Sequence, residues 1–264
     1  MGALVACACG PMPPPDQGPT GSASAGTERT GKAPPTTEAT TGTRAEALWK
    51  RRDNREALEQ AIAIWEQLAA TKAGSPDLAL KLARGYFTLG HSVNRDAAAT
   101  LFDKGARAAR TALSTESVAQ TAQAARHWSL ANRAASAFAG PYLERVDQHQ
   151  ELLEEARALR DSLPTAVVPR PEHVLASLLA TPPLLALRDL ETSRELFAAM
   201  TTRHPHDLAA RVAFARHYGV AAQDIALFEA ELRQVLAAPE TGPDDRLAKA
   251  AAGRLLKLAP HLFE

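Results

Sequence analysis

The segment 75–113 constrains the fold most strongly, because it has the pattern of two helices joined by a short polar turn. In its first half the apolar residues recur at spacings of four, four and three and share one helical face: Leu78, Leu82, Tyr86 and Leu89. Ser75 and Pro76 are typical of a helix start, and Gly90 of a helix end. The second half carries a stripe of mostly small residues: Leu101, Gly105, Ala108 and Ala112. We therefore expect an antiparallel helix pair in close contact.

This segment resembles a tetratricopeptide unit, with Leu82-Ala83-x-x-Tyr86 on the first helix and Ala98-x-x-x-Phe102 on the second. The first half recurs at residues 214–218, and the second half at residues 61–65 and 193–197. Residues 77–83, with the sequence DLALKLA, are echoed by residues 207–213, with the sequence DLAARVA. These matches predict a repeat architecture of stacked helix pairs.

The rest of the chain indicates an all-α fold of TPR-like stacked antiparallel helix pairs, an α-solenoid. Alanine and leucine dominate, and no run alternates between apolar and polar residues with a period of two. Capping boxes at Thr43-x-x-Glu46 and Asp53-x-x-Glu56 predict the first two helix starts. The folded domain is therefore expected over residues 43–264, with roughly ten or eleven helices.

Five prolines between residues 164 and 183 interrupt the helical pattern and leave room for one short helix at residues 172–180. Long helices are expected before it at 116–139 and 140–163, the latter with its buried face on Leu143, Val146, Leu153 and Leu159. The regular pattern resumes after it, with helices expected at 189–200, 205–218, 223–237 and 243–258.

The charge balance argues against a nucleic-acid function. The chain has 30 basic and 30 acidic residues, so its formal net charge is zero. A protein that binds phosphate backbones usually carries a clear excess of positive charge.

The N-terminus carries the chain's two cysteines, Cys7 and Cys9, so the folded domain can have neither a disulfide nor a thiolate metal site. Residues 4–7 are similar to the bacterial lipobox, which predicts lipidation of Cys7. Only five residues lie between Met1 and Cys7, too few for a secretion signal, so this hypothesis places the translation start upstream. Residues 10–42 are rich in Gly, Pro, Ser and Thr and predict a disordered tether about 30 Å long. The alternative is an ordinary disordered terminus with a chance motif.

Further segments resemble a known family, the T-component (TatT-like) lipoproteins of tripartite ATP-independent periplasmic (TRAP) transporters. The resemblance lies in residues 44–52, 65–66, 82–87, 101–106, 127–128 and 189–197 and in the last helix. It implies a lipid-anchored periplasmic protein that associates with the transporter's solute-binding subunit, holds an apolar ligand and permits a small homo-oligomer. The sequence departs from the family pattern at two places. Residues 168–173 replace a glycine-rich turn, and Ser129 and Leu130 follow Trp128 where the family has more aromatic residues.

Motifs that carry chemistry are missing from the sequence. There is no glycine-rich phosphate loop, no His-Glu-x-x-His and no Gly-x-Ser-x-Gly. His204 and His206 flank Pro205 and fit a surface turn better than a metal pair, and His127 and His217 fit half-buried structural positions. We expect no enzymatic activity, no cofactor and no metal.

The aromatic residues are the remaining candidates for a binding site. Trp128 and Tyr142 border the irregular region and are candidates for the concave groove that stacked helix pairs create. Core packing is the alternative for both. Two functions follow: a lipid-anchored accessory subunit of a TRAP transporter, or a generic cytoplasmic TPR-like scaffold for protein–protein interaction.

Overall fold

The computed structural model describes residues 37–72, 74–115, 118–162 and 170–263, which belong to one compact unit spanning Pro35–Glu264. Cys7 and most of the predicted tether lie outside the described residues. The last part of that tether is helical, because the first helix begins at Thr37 rather than near the expected cap Thr43.

The described residues confirm the predicted all-α class, with helices packed as sequential antiparallel pairs. A short 3₁₀ turn lies at Leu185–Leu187, and α9 continues into a π-helical turn at Phe214–Gly219. The eleven α-helices found within the described ranges are α1 (Thr37–Trp49), α2 (Arg55–Thr71), α3 (Pro76–Gly90), α4 (Arg95–Thr115), α5 (Ala119–Ala139), α6 (Tyr142–Ser162), α7 (Pro171–Ala180), α8 (Leu190–Arg203), α9 (Leu208–Ala213), α10 (Ile225–Ala237) and α11 (Pro243–Leu262).

Side-chain caps fix several helix starts. Ser75 accepts a hydrogen bond from the Leu78 amide, as predicted for α3. At α2 the predicted cap Asp53 is wrong by one residue, because the Asn54 side chain accepts from the Ala57 amide at 3.0 Å. Asp189, Asp207 and Asp224 cap α8, α9 and α10 in the same way.

Helix α7 contacts helices that precede it and helices that follow it in the chain. It is buried at Pro171 and throughout Val174 to Ala180, and Leu175 and Leu178 are each only 1% exposed. Its leucines pack with α5 and α6 in one core cluster, while Ala176 packs with α8 and α9 in another. A short helix that is apolar on all sides is stable only when it is surrounded, so α7 joins the two halves of the core.

The small-residue stripe of α4 makes its closest contact with a helix other than the one expected. Gly105 is buried, but it faces Asn132 of α5 rather than α3. Leu101 and Ala108 are only partly buried, whereas Ala98 and Phe102 are buried. Helix α4 packs against α3 and α5 at the same time, so its buried surface is wider than the predicted stripe.

The predicted buried face of α6 is correct at Leu153 and Leu159, only partly buried at Val146, and wrong at Leu143, which is 75% exposed. Helix α6 has 21 residues, while its neighbour α7 has 10. At a rise of about 1.5 Å per residue, α7 covers only about half the length of α6. The first turn of α6 therefore extends past the core. None of the described helices combines the length and the hydropathy needed to cross a bilayer.

Candidate functional site

A cavity of about 350 Å³ lies where five elements meet: the end of α3, the start of α4, α5, α7 and the π-helical turn. Small side chains on α4 and α5 create the space, because each leaves room that a larger residue would fill. They are Ala98, Ala131, Ala134, Ala135 and Ala139.

Gly90 shapes one end of this cavity. A Cβ atom placed on Gly90 would lie 2.4 Å from Cε1 of Phe102, which is far closer than atoms can approach. The Phe102 ring therefore packs directly against the backbone at the end of α3. Replacing Gly90 with any other residue would push this ring aside and change the cavity wall.

Aromatic rings line the same end. Phe87 contacts His91 edge-on with centroids 4.6 Å apart, and the His91 and Phe102 centroids are 5.1 Å apart. Trp128 contacts Phe87 edge-on at 5.5 Å but is not among the residues that line the cavity, and it is 8% exposed. Trp128 thus packs in the core and supports the cavity wall from behind.

The cavity also carries polar groups. His173 of α7 lines it together with Arg216 and His217 of the π-helical turn. His217 contacts Phe138 with ring centroids 5.2 Å apart. Such π-helical turns occur frequently at functional sites. The turn brings a cation and an imidazole to a cavity whose other lining residues are mostly apolar.

Arg95 is the other arginine that lines the cavity, and its side chain caps the C-terminal end of α5. It donates from Nε to the carbonyl of Ala139 at 2.9 Å and from Nη2 to the carbonyl of Gly140 at 3.2 Å. These contacts satisfy carbonyl groups that the last turn of a helix leaves without partners.

The electrostatics of the cavity favour neutral imidazoles. Desolvation of their rings lowers the pKa of His173, His217 and the more exposed His91, and the nearby Arg216 charge lowers the pKa of His91 and His217 further. At neutral pH each ring is therefore uncharged and can donate from one nitrogen and accept at the other. No Asp or Glu occurs among the cavity's described lining residues.

The histidines do not form a metal site. Among the residues that the structure describes, no group of three His, Cys, Asp or Glu side chains is placed to hold a metal ion. His204 and His206 lie in the turn between α8 and α9, as the sequence predicts. His127 is more deeply buried than expected, with 0% exposure.

A second cavity of about 370 Å³ lies over α4, α5 and α6 and is lined mainly by polar and charged side chains. Arg133 pairs there with Glu151 at 2.7 Å and with Glu155 at 2.6 Å. Ser136 donates a hydrogen bond to Asp103 at 2.7 Å. These five groups satisfy one another, and the apolar lining residues are only Ala106 and Ala137, so this surface suits an apolar ligand less than the first cavity does.

Of the residues that the sequence nominates as sites, Trp128 contacts the cavity wall, through Phe87 among others. Tyr142 begins α6, but its side chain lies outside the described residues, as does Cys7. Sequence reasoning missed Arg216, His91 and His173 as lining residues. The departure at residues 168–173 was a usable signal, because His173 reaches the cavity.

Comparison with known proteins adds no family. Neither a scan against protein-family models nor a search of curated proteins finds a match. The resemblance to T-component lipoproteins therefore stays a prediction that rests on the segments quoted above.

Proposed function

We propose that this chain is a non-enzymatic binding protein that holds a small, largely apolar molecule in the cavity between α3, α4, α5, α7 and the π-helical turn. The observation that supports this most directly is the composition of the cavity, with alanines that leave space and phenylalanines that wall it. Its volume of about 350 Å³ lies within the range of about 300–1,000 Å³ that is usual for small-molecule sites.

The proposal extends to the place of this protein in the cell. The resemblance to T-component lipoproteins supports a role as accessory subunit of a TRAP-type transporter, bound to the solute-binding subunit and anchored through Cys7. The helical architecture is compatible with that role, since stacked helix pairs offer extended surfaces to partner proteins.

The alternative is a TPR-like protein–protein scaffold in the cytoplasm. One observation favours a scaffold: the 3₁₀ turn after α7 exposes Leu184, Leu185 and Leu187 to 43%, 71% and 50%. Neighbouring exposed leucines are typical of surfaces that contact other proteins. A scaffold needs no small-molecule site, so ligand binding discriminates between the two functions.

Ligand binding is tested with the fluorescent, uncharged probe N-phenyl-1-naphthylamine. The full chain should increase the fluorescence of this probe, and Ala139→Phe, which fills part of the cavity, should weaken that increase. Ala139 is suitable because it is only partly buried at the end of α5. Ala198→Phe on the exposed face of α8 is the matched control. Equal fluorescence with both variants would count against a cavity site.

Partner binding is tested by using the full chain as bait in a periplasmic extract of the source cells. Recovery of a TRAP solute-binding protein supports the transporter role. Retention of cytosolic proteins only, when the bait is offered a whole-cell extract, supports the scaffold.

A further inference from the structure

Three of the chain's eight histidines line the first cavity, although they belong to separate elements. His91 directly follows the last residue of α3, His173 lies on α7, and His217 lies on the π-helical turn. His91 and His173 are both close enough to His217 to influence its charge. The fold therefore brings three imidazole rings together at one cavity.

The nitrogen atoms of these imidazoles are available to a ligand. Within the part of the chain that the structure describes, none of the three rings has a hydrogen-bond partner, and desolvation together with neighbouring charges lowers the pKa of His217 well below its ordinary value. The hydroxyl group of Ser177, which also lines the cavity, donates to the carbonyl of His173 at 2.8 Å. A neutral imidazole accepts a hydrogen bond at one nitrogen and donates from the other. A hydroxyl group matches it, because a hydroxyl group can also do both.

The wall beside the imidazoles is built from aromatic rings. His91 contacts Phe87 and Phe102 edge-on, with centroids 4.6 Å and 5.1 Å apart, and the centroids of Phe87 and Phe102 are 6.0 Å apart. Phe138 packs on His217 with centroids 5.2 Å apart. Aromatic rings in edge-on or offset contact stabilise each other beyond what buried area alone provides. This wall therefore favours an aromatic ligand over a saturated ligand of the same size.

We infer that the ligand of this cavity is a phenolic molecule, whose ring packs among the phenylalanine rings and whose hydroxyl group donates a hydrogen bond to His217. This inference rests on the proposed small-molecule function and names its ligand class. His217 suits this role because it is half-buried and adjoins Phe138, so a ligand ring that packs on Phe138 has its substituents beside the imidazole. A phenolic hydroxyl is a stronger donor than an aliphatic one, because its proton is more acidic.

The test compares three uncharged probes with the same number of heavy atoms by titration calorimetry on the purified full chain: 4-ethylphenol, 4-methylanisole and 4-ethylcyclohexanol. The anisole keeps the aromatic ring but has no hydroxyl hydrogen, and the cyclohexanol keeps the hydroxyl group but has no aromatic ring. We expect 4-ethylphenol to bind at least about threefold more tightly than either of the other probes.

Two variants separate the contributions of the hydroxyl group and the ring. His217→Phe keeps a ring at this position and removes its nitrogen atoms, so it should abolish the preference for 4-ethylphenol over 4-methylanisole and leave the affinity for 4-methylanisole unchanged. Phe138→Leu should reduce the preference for 4-ethylphenol over 4-ethylcyclohexanol. His217→Gln retains a hydrogen-bond acceptor and should keep part of the preference for the phenol.

His206→Phe is the matched control. His206 is exposed in the turn between α8 and α9 and does not line the cavity, so this variant should bind all three probes as the wild-type protein does. Equal affinities for the three probes, normal preference for the phenol in His217→Phe, or loss of that preference in His206→Phe would overturn the phenolic ligand and leave the small-molecule function standing. Failure of all three probes to bind would overturn the small-molecule function and the phenolic ligand together.

Discussion

Arg246 binds Asp53 through two hydrogen bonds, Nε to Oδ2 at 2.6 Å and Nη2 to Oδ1 at 3.0 Å, although the residues are 193 positions apart. Arg52 pairs with Asp244 at 2.6 Å beside them. Together these pairs connect the loop between α1 and α2 to the first turn of α11. The first and last helices of the array are thereby joined, which an open solenoid would not require.

Removing the Asp53 pair should loosen this connection. We expect Asp53→Asn to lower the melting temperature at low salt, with the difference disappearing near about 1 M salt, where exposed charges are screened. Glu59→Gln is the control, because it breaks the pair between Arg55 and Glu59 within α2 and leaves the ends joined. The comparison uses the melting temperatures of the wild-type protein and both variants, each measured at low and at high salt. A loss that persists at high salt would contradict an electrostatic connection.

The same pair predicts a pH dependence. Hydrogen bonds from Arg246 lower the pKa of Asp53 below its ordinary value. The folded protein therefore holds the Asp53 proton less tightly than the unfolded chain does. The resulting stabilisation is present above the ordinary pKa of Asp and is lost as the pH falls through the lowered value. In a plot of the free energy of unfolding against pH, Asp53→Asn should remove the part of the acid-side decrease that comes from Asp53.

Gly105 tests the contact between α4 and α5. A Cβ atom on Gly105 would lie 2.1 Å from Oδ1 of Asn132, whose amide nitrogen donates to the carbonyl groups of Ala83 and Trp128. Gly105→Ala should therefore lower the free energy of unfolding by about 1–3 kcal/mol. Gly253→Ala is the control, because a Cβ there meets nothing within 4 Å and should stabilise α11 by about 0.5–1 kcal/mol. Denaturant unfolding of both variants measures these changes. An unchanged free energy of unfolding in Gly105→Ala would contradict the close contact between α4 and α5.

His127 should make stability depend on pH between about 4 and 6.5. It is fully buried, neither ring nitrogen has a hydrogen-bond partner in the described structure, and burial lowers its pKa to about 4. The unfolded chain binds this proton more readily, so stability falls as the pH drops through this window, by on the order of 3 kcal/mol in total. His127→Leu should flatten this part of the curve. Parallel curves for the two proteins would show that His127 is not buried in its neutral form.

The lipid-anchor proposal has its own matched pair of variants. When the gene is expressed in a bacterial host with its natural upstream sequence, radioactive palmitate should label the wild-type protein and Cys9→Ser, but not Cys7→Ser. The reason is that Cys7 completes the lipobox-like sequence of residues 4–7, while Cys9 does not. Equal labelling of the two variants, or no labelling of the wild type, would contradict lipidation at Cys7.

Local signals explain which parts of the fold are predictable from the sequence. Ser75, Pro76 and Gly90 determine the ends of α3 through contacts within a few residues, and the prediction for that helix is correct at both ends. At α2 two good capping residues are adjacent, and the sequence alone does not reveal that Asp53 is engaged by Arg246, so that Asn54 takes the cap. The exposed position of Leu143 likewise depends on the length of a neighbouring helix.

The cavity could not be predicted from the sequence, because the five elements that line it are distant from one another along the chain. Ala135 and Ala139 look like ordinary helix formers, and Arg216 looks like any exposed arginine. Only packing brings the π-helical turn opposite α5. Trp128, by contrast, was recognisable as an important aromatic residue, and its position behind Phe87 shows why: it supports the wall of the site.

The most direct test of the central claim is native mass spectrometry of the full chain purified gently from its source cells, beside Ala139→Phe prepared in the same way. We predict that the wild-type protein carries an additional small molecule that denaturation releases, and that the variant with the filled cavity carries much less of it. A wild-type protein with no additional mass, or equal loading of both proteins, would contradict a small-molecule site in this cavity.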